Sequence, residues 1–288
     1  MPAPVQALLL SLLRRLRGGR MLEAVHRVPG VDRTFLATRG YLVQETARFA
    51  ASELLGRPGV RRYHLRSTGH ACLVRHGTFD VRGLDEIFWR GFYDLPDEAG
   101  AALAARPGPV RMLDCGGHVG LASLWALKAF GDTTQITAFE PDPANNVIHD
   151  RVRRSALAAG VGAWSLERAA VGAEAGTTRF HASGDENSRA TDDGELEVPV
   201  VDLLTHLPGA DLLKLDVEGA EWPILADPRL AARPGPAVIV MEIHADGCPQ
   251  PDHQAEATRL LALAGYQAEV TEDMGPGGAL VCAWRSDG

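Results

Sequence analysis

Lysine is nearly missing from this 288-residue chain: Lys128 and Lys214 are the only two, and every other basic side chain is arginine. Together with the abundance of alanine, glycine and proline, this reads as coding bias rather than a functional signature. Cysteine is also scarce. Cys72, Cys115, Cys248 and Cys282 show no Cys-x-x-Cys spacing, which argues against a zinc site or a disulfide scaffold and makes the cytoplasm the expected compartment. No apolar run approaches the length of a membrane span, so no stable membrane insertion is expected. Positive charge is in deficit, with a formal net charge of −8 at pH 7 and no basic stripe, which argues against a nucleic-acid partner. The remaining bulk composition, 45% hydrophobic and 23% charged, is that of an ordinary globular chain, long enough for one large domain or a domain with a substantial extension.

The N-terminal stretch Val5–Arg17 carries its basic residues after its apolar run, whereas a secretory signal carries them before. An amphipathic helix packing on the core, or on a second copy of the chain in a homodimer, is the expectation. The polar break Arg106-Pro-Gly-Pro109 divides the chain into an α+β extension over residues 1–105 and a main domain over residues 106–288. Within the extension, Val31–Leu55 reads as a helix stopped at Gly56-Arg-Pro-Gly59. Val60–Ser67 and Ala71–Arg75 read as short strands, and Asp85–Tyr93 as an aromatic helix able to cover a cleft.

The main domain opens with Val110-Arg-Met-Leu-Asp-Cys-Gly-Gly-His-Val-Gly120, an apolar strand that ends in an acid and breaks into a glycine turn. An apolar helix, Leu121–Phe130, follows, and a second strand, Ile136–Phe139, ends at Glu140, 20 residues after Gly120. This is the layout of a βαβ unit that binds a nucleoside: glycines let the backbone approach the ligand, and the acid accepts hydrogen bonds from ribose hydroxyls. A dinucleotide site needs Gly-x-Gly-x-x-Gly for its pyrophosphate, but here Cys115 stands at the first glycine and Asp114 ahead of it. A carboxylate beside the turn repels a pyrophosphate and suits a sulfonium or ammonium, so S-adenosylmethionine fits better than NAD.

Strands are expected at 110–114, 135–139, 163–170, 212–216, 237–243, 266–272 and 279–285. The first five alternate with helices and should lie parallel, whereas the last two, joined by the glycine-rich Asp273–Gly278, should form a hairpin. Five parallel strands plus a C-terminal hairpin is the α/β, Rossmann-like seven-stranded sheet of class I methyltransferases. An insertion between the third and fourth strands, Thr177–Val201, reads as a hairpin around a polar loop containing Asp185, Glu186, Asn187, Ser188, Asp192 and Asp193.

Two strand ends carry candidate chemistry. In Leu212-Leu-Lys-Leu-Asp-Val-Glu-Gly-Ala-Glu221, period-two alternation puts Lys214 and Asp216 on one face of a buried strand, which is costly unless they are paired or functional. Glu218 and Glu221 open the next helix, where acids also favour the dipole. In Ala237–His244, Glu242 and His244 share one face, and a histidine ending a buried strand beside Asp216 suits a general base.

The set Asp114–Gly120, Phe139-Glu-Pro-Asp142, Leu213–Glu221 and Glu242-Ile-His244 resembles the FkbM family of S-adenosylmethionine-dependent O-methyltransferases over about residues 72 to 245. One departure is Cys115-Gly116-Gly117, where the family commonly has Val-Gly-Ala. The resemblance implies that Asp114, Gly116 and Gly120 hold the methionine part of the cofactor, with Gly117 and His118 in the same turn. Glu140 would take the ribose, Asp142 would approach the adenine, and Asp216, Glu218, Glu242 and His244 would line the acceptor pocket, Asp216 also touching the cofactor. The implied reaction is methyl transfer to a hydroxyl of a secondary metabolite or sugar, with His244 or Asp216 as base and no metal. A Mg²⁺-assisted variant using Asp216, Glu218, Glu242 and His244, a noncatalytic nucleoside-binding scaffold and a nicotinamide-dependent oxidoreductase are the alternatives.

Overall fold

The computed structural model describes residues 37, 39–184, 188–191, 193–232 and 235–285. The N-terminal amphipathic segment Val5–Arg17, and with it the expected dimer contact, lies outside these residues, as do Asp185, Glu186, Asn187 and Asp192 of the polar loop. No helix among the described residues is long and apolar enough to cross a membrane.

The main sheet is built from β3 (Arg111–Cys115), β4 (Gln135–Phe139), β5 (Ala163–Glu167), β10 (Leu212–Leu215), β11 (Val238–His244), β12 (Gln267–Asp273) and β13 (Gly278–Trp284), in the order β12-β13-β11-β10-β3-β4-β5. The strands β5, β4, β3, β10 and β11 run parallel, and β13 pairs antiparallel with both β11 and β12. Parallel strands must be covered on both faces, and the residue pattern shows two apolar sides. Met112, Leu212, Val238, Val240, Leu280 and Cys282 face one core, and Leu113, Leu213, Ile239, Met241, Val281 and Ala283 face the other. Because side chains alternate along a strand, Asp114, Lys214, Asp216, Glu242 and His244 all fall on the first face.

That first face is covered by α4 (Leu121–Phe130) and α5 (Pro143–Ala158) together with the N-terminal segment. The segment comprises α1 (Thr46–Leu54), the antiparallel pair β1 (Gly59–His64) and β2 (Ala71–His76), α2 (Asp80–Asp85) and α3 (Asp97–Ala104). Phe49, Tyr63, Val74 and Leu84 of this segment join Leu124, Trp125, Ile148 and Val152 in one continuous core. The opposite face is covered by α6 (Glu221–Ala226) and α7 (His253–Leu263). Residues 170–202 form a separate four-stranded sheet from β6 (Ala170–Gly172), β7 (Gly176–His181), β8 (Arg189–Ala190) and β9 (Leu196–Asp202), in the order β6-β9-β7-β8.

Three elements differ from the sequence expectation. The strand expected over 163–170 ends at Glu167 in the main sheet, and Ala170 begins β6 of the separate sheet. The helix expected over Val31–Leu55 is, among its described residues, a 3-10 turn at Arg39–Leu42 followed by α1 from Thr46. The interruption is tertiary: Val43 bridges Leu65, and Gln44 N donates to His64 O at 2.9 Å, so the chain leaves helical geometry to pair with the end of β1. The aromatic segment Asp85–Tyr93 begins in α2 but widens into a single π-helical turn over Glu86–Arg90, ended by Gly91 at φ 71. Such turns re-aim side chains within a helix, and here Glu86, Ile87, Phe92 and Tyr93 turn toward the sheet's carboxyl edge.

Candidate active site

The glycine turn after β3 is held at both ends. Gly116 N and Gly117 N both donate to Phe139 O, at 3.1 and 2.9 Å. Gly116 has φ 77, and a Cβ there would stand 1.8 Å from Asp216 O; at Gly117 a Cβ would stand 2.7 Å from His149 Cε1. The backbone thus leaves no room for side chains on the inner side of the turn, and the His149 ring accounts for glycine at the position where the family commonly has alanine. Gly120 (φ 88) closes the turn by donating to Gly117 O at 2.8 Å and starts α4.

Glu140, only 4% exposed, is fixed by two backbone donors: His118 N reaches Oε2 at 2.7 Å and Asp142 N reaches Oε1 at 2.8 Å. Burial pushes its carboxyl up, those two N–H groups oppose the rise, and the result is about 7. Each carboxylate oxygen has a second lone pair, and the residue opens on a cavity of about 510 Å³ at the carboxyl ends of β3, β4, β10 and β11. Gly116, Gly117, His118, Glu140, Lys214, Asp216, Glu218 and Glu242 all line this one cavity.

Three residues expected to touch the cofactor are not among those that line the cavity. Asp114 is fully buried, accepts from Ser123 Oγ at 2.6 Å and stands 3.8 Å from Lys214 Nζ. Asp142 caps α5, with Oδ1 accepting from Ala144 N and Asn145 N, while Oδ2 accepts from Gly184 N (2.9 Å) and Ser188 Oγ (2.7 Å). Its lone pairs are spent on the helix and the insertion loop. Gly120 serves the turn.

The buried lysine on β10 is paired. Lys214 Nζ lies 3.1 Å from Asp216 Oδ2 and donates to Gly116 O at 2.7 Å and Cys115 O at 3.2 Å. Burial opposes its charge, but the Asp216 and Asp114 carboxylates outweigh burial and raise its pKa; Lys214 in turn, against burial, draws Asp216 below the usual carboxylate range. The β10–β11 register sets Lys214 beside Val240. Continuing that register places Glu242 level with Asp216, with His244 one pleat further on.

His244 sits among carboxylates. Nδ1 lies 3.0 Å from Glu221 Oε1, and Nε2 lies 3.4 Å from Glu218 Oε2 and 3.6 Å from Glu242 Oε1. Burial disfavours the charged ring, yet the hydrogen bonds to Glu221 and Glu242 and the Asp216 charge prevail and lift its pKa to about 11. The raised pKa favours the imidazolium, the form with no lone pair to receive a proton, and His244 is not among the residues that line the cavity. Glu221 is fully buried and also accepts from Val217 N and Gly219 N, so it is the brace of this turn. Glu218 lies outside α6, with φ 55. Burial and the adjacent Asp216 charge, against the pull of His244, bring its carboxyl to about 7; burial and Asp216 likewise raise Glu242. Ligand atoms of Asp216, Glu218 and His244 all lie within 4.8 Å of one another, the spacing of a cation-binding group.

Sequence reasoning missed a hub that braces the site from behind. Arg75 pairs with Asp80 through Nη2 (2.7 Å) and Nε (2.9 Å) and also donates to Asn145 Oδ1 (2.8 Å), to His118 Nε2 (3.0 Å) and to Gly184 O. It thereby ties β2, the turn, α5 and the insertion loop together. His118, at φ 45, has its pKa lowered chiefly by burial and stays neutral, with Nε2 accepting from Arg75. Arg75 and Asp80 show no motif spacing. The aromatic run Asp85–Tyr93, expected as a segment able to cover a cleft, contributes Glu86, Ile87, Phe92 and Tyr93 to the cavity lining.

A mostly parallel α/β sheet with a glycine turn after one strand and an acid ending the next defines the class, and the family follows from the chain itself. Residues 114–268 match the Methyltransferase FkbM domain, and the chain belongs to that family. No curated protein matches it. Among solved structures it is similar to the methyltransferase FkbM from Methylobacillus flagellatus KT, at 13% identity and a TM-score of 0.47 over 72% of this chain and 54% of that one. The chain thus spans about half the length of that protein. It is also similar to a SAM-dependent methyltransferase from Agrobacterium tumefaciens (11% identity, TM-score 0.43, 79% and 70% covered). A third is P. horikoshii TYW2 in complex with MeSAdo (12% identity, TM-score 0.39, 81% and 74% covered).

Proposed function

We propose that the protein is an S-adenosylmethionine-dependent O-methyltransferase acting on a hydroxyl of a small molecule, a secondary metabolite or sugar. The observation that carries this reading is one cavity shared by a side-chain-free glycine turn, a ribose-level Glu140 and a group of acids at the ends of β10 and β11. The residues present fit the cofactor: the turn is a cradle that a Cβ would fill, and Glu140 keeps free lone pairs facing the cavity. Gly116, Gly117 and His118 would hold the methionine part, Glu140 the ribose, and Asp216 would face the positive sulfur. When bound, S-adenosylmethionine supplies an electrophilic methyl group whose C–S bond breaks to leave a neutral thioether.

The protein then has to place the acceptor oxygen and take its proton. Alignment alone lowers such barriers by several kcal/mol, up to roughly 7–11 in ideal cases. Glu218 is the base in this reading, because its carboxyl titrates at about 7, where a base is both available and strong enough. The acceptor oxygen forms its bond to the methyl carbon as its proton passes to Glu218. His244 acts as a fixed cation that orients Glu218 and Glu242, and Asp216, tied to Lys214, is the weaker base of the group. The segment before residue 106 contributes Phe79, Glu86, Phe92 and Tyr93 to the same cavity.

Calorimetry with S-adenosylmethionine, S-adenosylhomocysteine and NAD tests the assignment. Binding of the first two without NAD is expected. NAD binding alone overturns it.

A further inference from the structure

Resting on that reading of the cavity, we propose that the methyl acceptor is a cation: a hydroxylated amine whose ammonium sits among Glu86, Glu242 and the Tyr93 phenol while its hydroxyl faces Glu218.

Five acids, Glu86, Glu140, Asp216, Glu218 and Glu242, line the cavity against three cations, Lys214, Arg82 and Arg189, so its lining is net acidic. Lys214 is already shared by Asp216, Asp114 and two backbone carbonyls, and His244 by Glu221, Glu218 and Glu242. Glu86 lines the cavity from the π-helical turn, and its carboxylate accepts no hydrogen bond among the described residues. The nearby Arg90 is committed to Glu272 at 2.7 Å and stacks on Phe92. Burial and the Glu242 charge push Glu86 up to about 7, against Arg90 and Arg82, the latter stacked on Phe79 at 5.1 Å. A second, separate feature points to a ligand. Tyr93 is 6% exposed, lines the same cavity and is fixed edge-on against Trp125, yet its hydroxyl has no hydrogen-bond partner among the described residues. A buried phenol normally finds one.

An ammonium offers three donors and no acceptor. Two carboxylates and a phenol oxygen are the complementary set, and the charge on the ammonium relieves the repulsion between Glu86 and Glu242. A neutral acceptor would leave Glu86 without a donor and Glu242 with His244 alone, at 3.6 Å, and an anionic one would be repelled. The class this selects is an amino alcohol, amino sugars included.

Full-length protein saturated with S-adenosylhomocysteine is titrated calorimetrically with ethanolamine, 3-amino-1,2-propanediol and D-glucosamine. Ethylene glycol, glycerol and N-acetyl-D-glucosamine are the uncharged partners, and Mg²⁺ and Mn²⁺ form a separate arm. Amines are expected to bind and their partners not to. Glu86→Gln and Glu242→Gln should each weaken amine binding about tenfold or more, the worth of a charge-assisted hydrogen bond, with S-adenosylhomocysteine affinity retained; Tyr93→Phe should cost less. Equal binding of the neutral partners, no amine binding, or occupation of the acids by a metal ion in place of the amine overturns the proposal while leaving methyl transfer standing. Failure of S-adenosylhomocysteine to bind sinks the underlying reading, and this inference with it.

Discussion

His244 Nδ1 lies 3.0 Å from the carboxylate of Glu221, a residue with no solvent exposure, and this pair decides the charge of the strand end. The folded value of about 11 stands above the ordinary 6.5. The stabilisation from charging His244 is therefore complete below pH 6.5 and is lost as pH rises toward 11. Glu221→Gln should bring the His244 titration down toward 6.5 and cost about 1–3 kcal/mol of stability near neutral pH. NMR titration of the ring nitrogens checks this; a wild-type His244 that titrates near 6.5 contradicts the pairing.

Glu140→Ala removes the acceptor of two backbone N–H groups and, with it, the proposed ribose contact. The expected result is a loss in S-adenosylhomocysteine affinity of roughly 10–100-fold, the worth of one or two hydrogen bonds to a charged group. Calorimetry measures it, with circular dichroism confirming that the sheet persists. Unchanged affinity would remove Glu140 from the cofactor site.

Glu218→Gln keeps the shape of the turn and deletes the proposed base. Turnover should fall about 10²–10⁴-fold, with cofactor affinity within about twofold, because the proposal sets Glu218 on the acceptor side of the cavity. In the wild type the rate should rise with pH through about 7 as Glu218 ionises, and that limb should vanish in the variant. If the limb survives Glu218→Gln but vanishes in Glu242→Gln, the base is Glu242.

Much of this architecture is legible in the sequence, for reasons visible in particular residues. Period-two alternation in Leu212–Asp216 and Ala237–His244 places Lys214, Asp216, Glu242 and His244 on one face, since a buried strand cannot hide which side its polar residues take. The glycine turn and Glu140 are marked by local spacing. The rest depends on contacts between distant segments. Asp142 follows a motif acid, yet whether it faces a ligand or caps α5 depends on where Gly184 and Ser188 come to lie, 42 and 46 residues away. His244 suits a base until three carboxylates converge on it, and Glu221 had an equally good local explanation in the helix dipole. The Arg75 hub joins four elements through contacts as distant as Gly184, so no window of sequence contains it.

Lys214 supports the strongest expectation about stability. Its ammonium is buried between Asp114 and Asp216 and also holds the carbonyls of Cys115 and Gly116. Lys214→Met keeps the length of the side chain and strands two acids, so a loss of about 3–5 kcal/mol is expected by urea denaturation. The pH dependence identifies the cause. In the wild type Lys214 draws the Asp216 carboxyl below its ordinary 3.8, so its contribution is present above pH 3.8 and is lost as pH falls through the folded value. Without the lysine, burial raises that carboxyl instead, and the deficit should shrink as pH is lowered toward 5. A loss independent of pH would mean that packing, and not charge, keeps a lysine in the middle of this sheet.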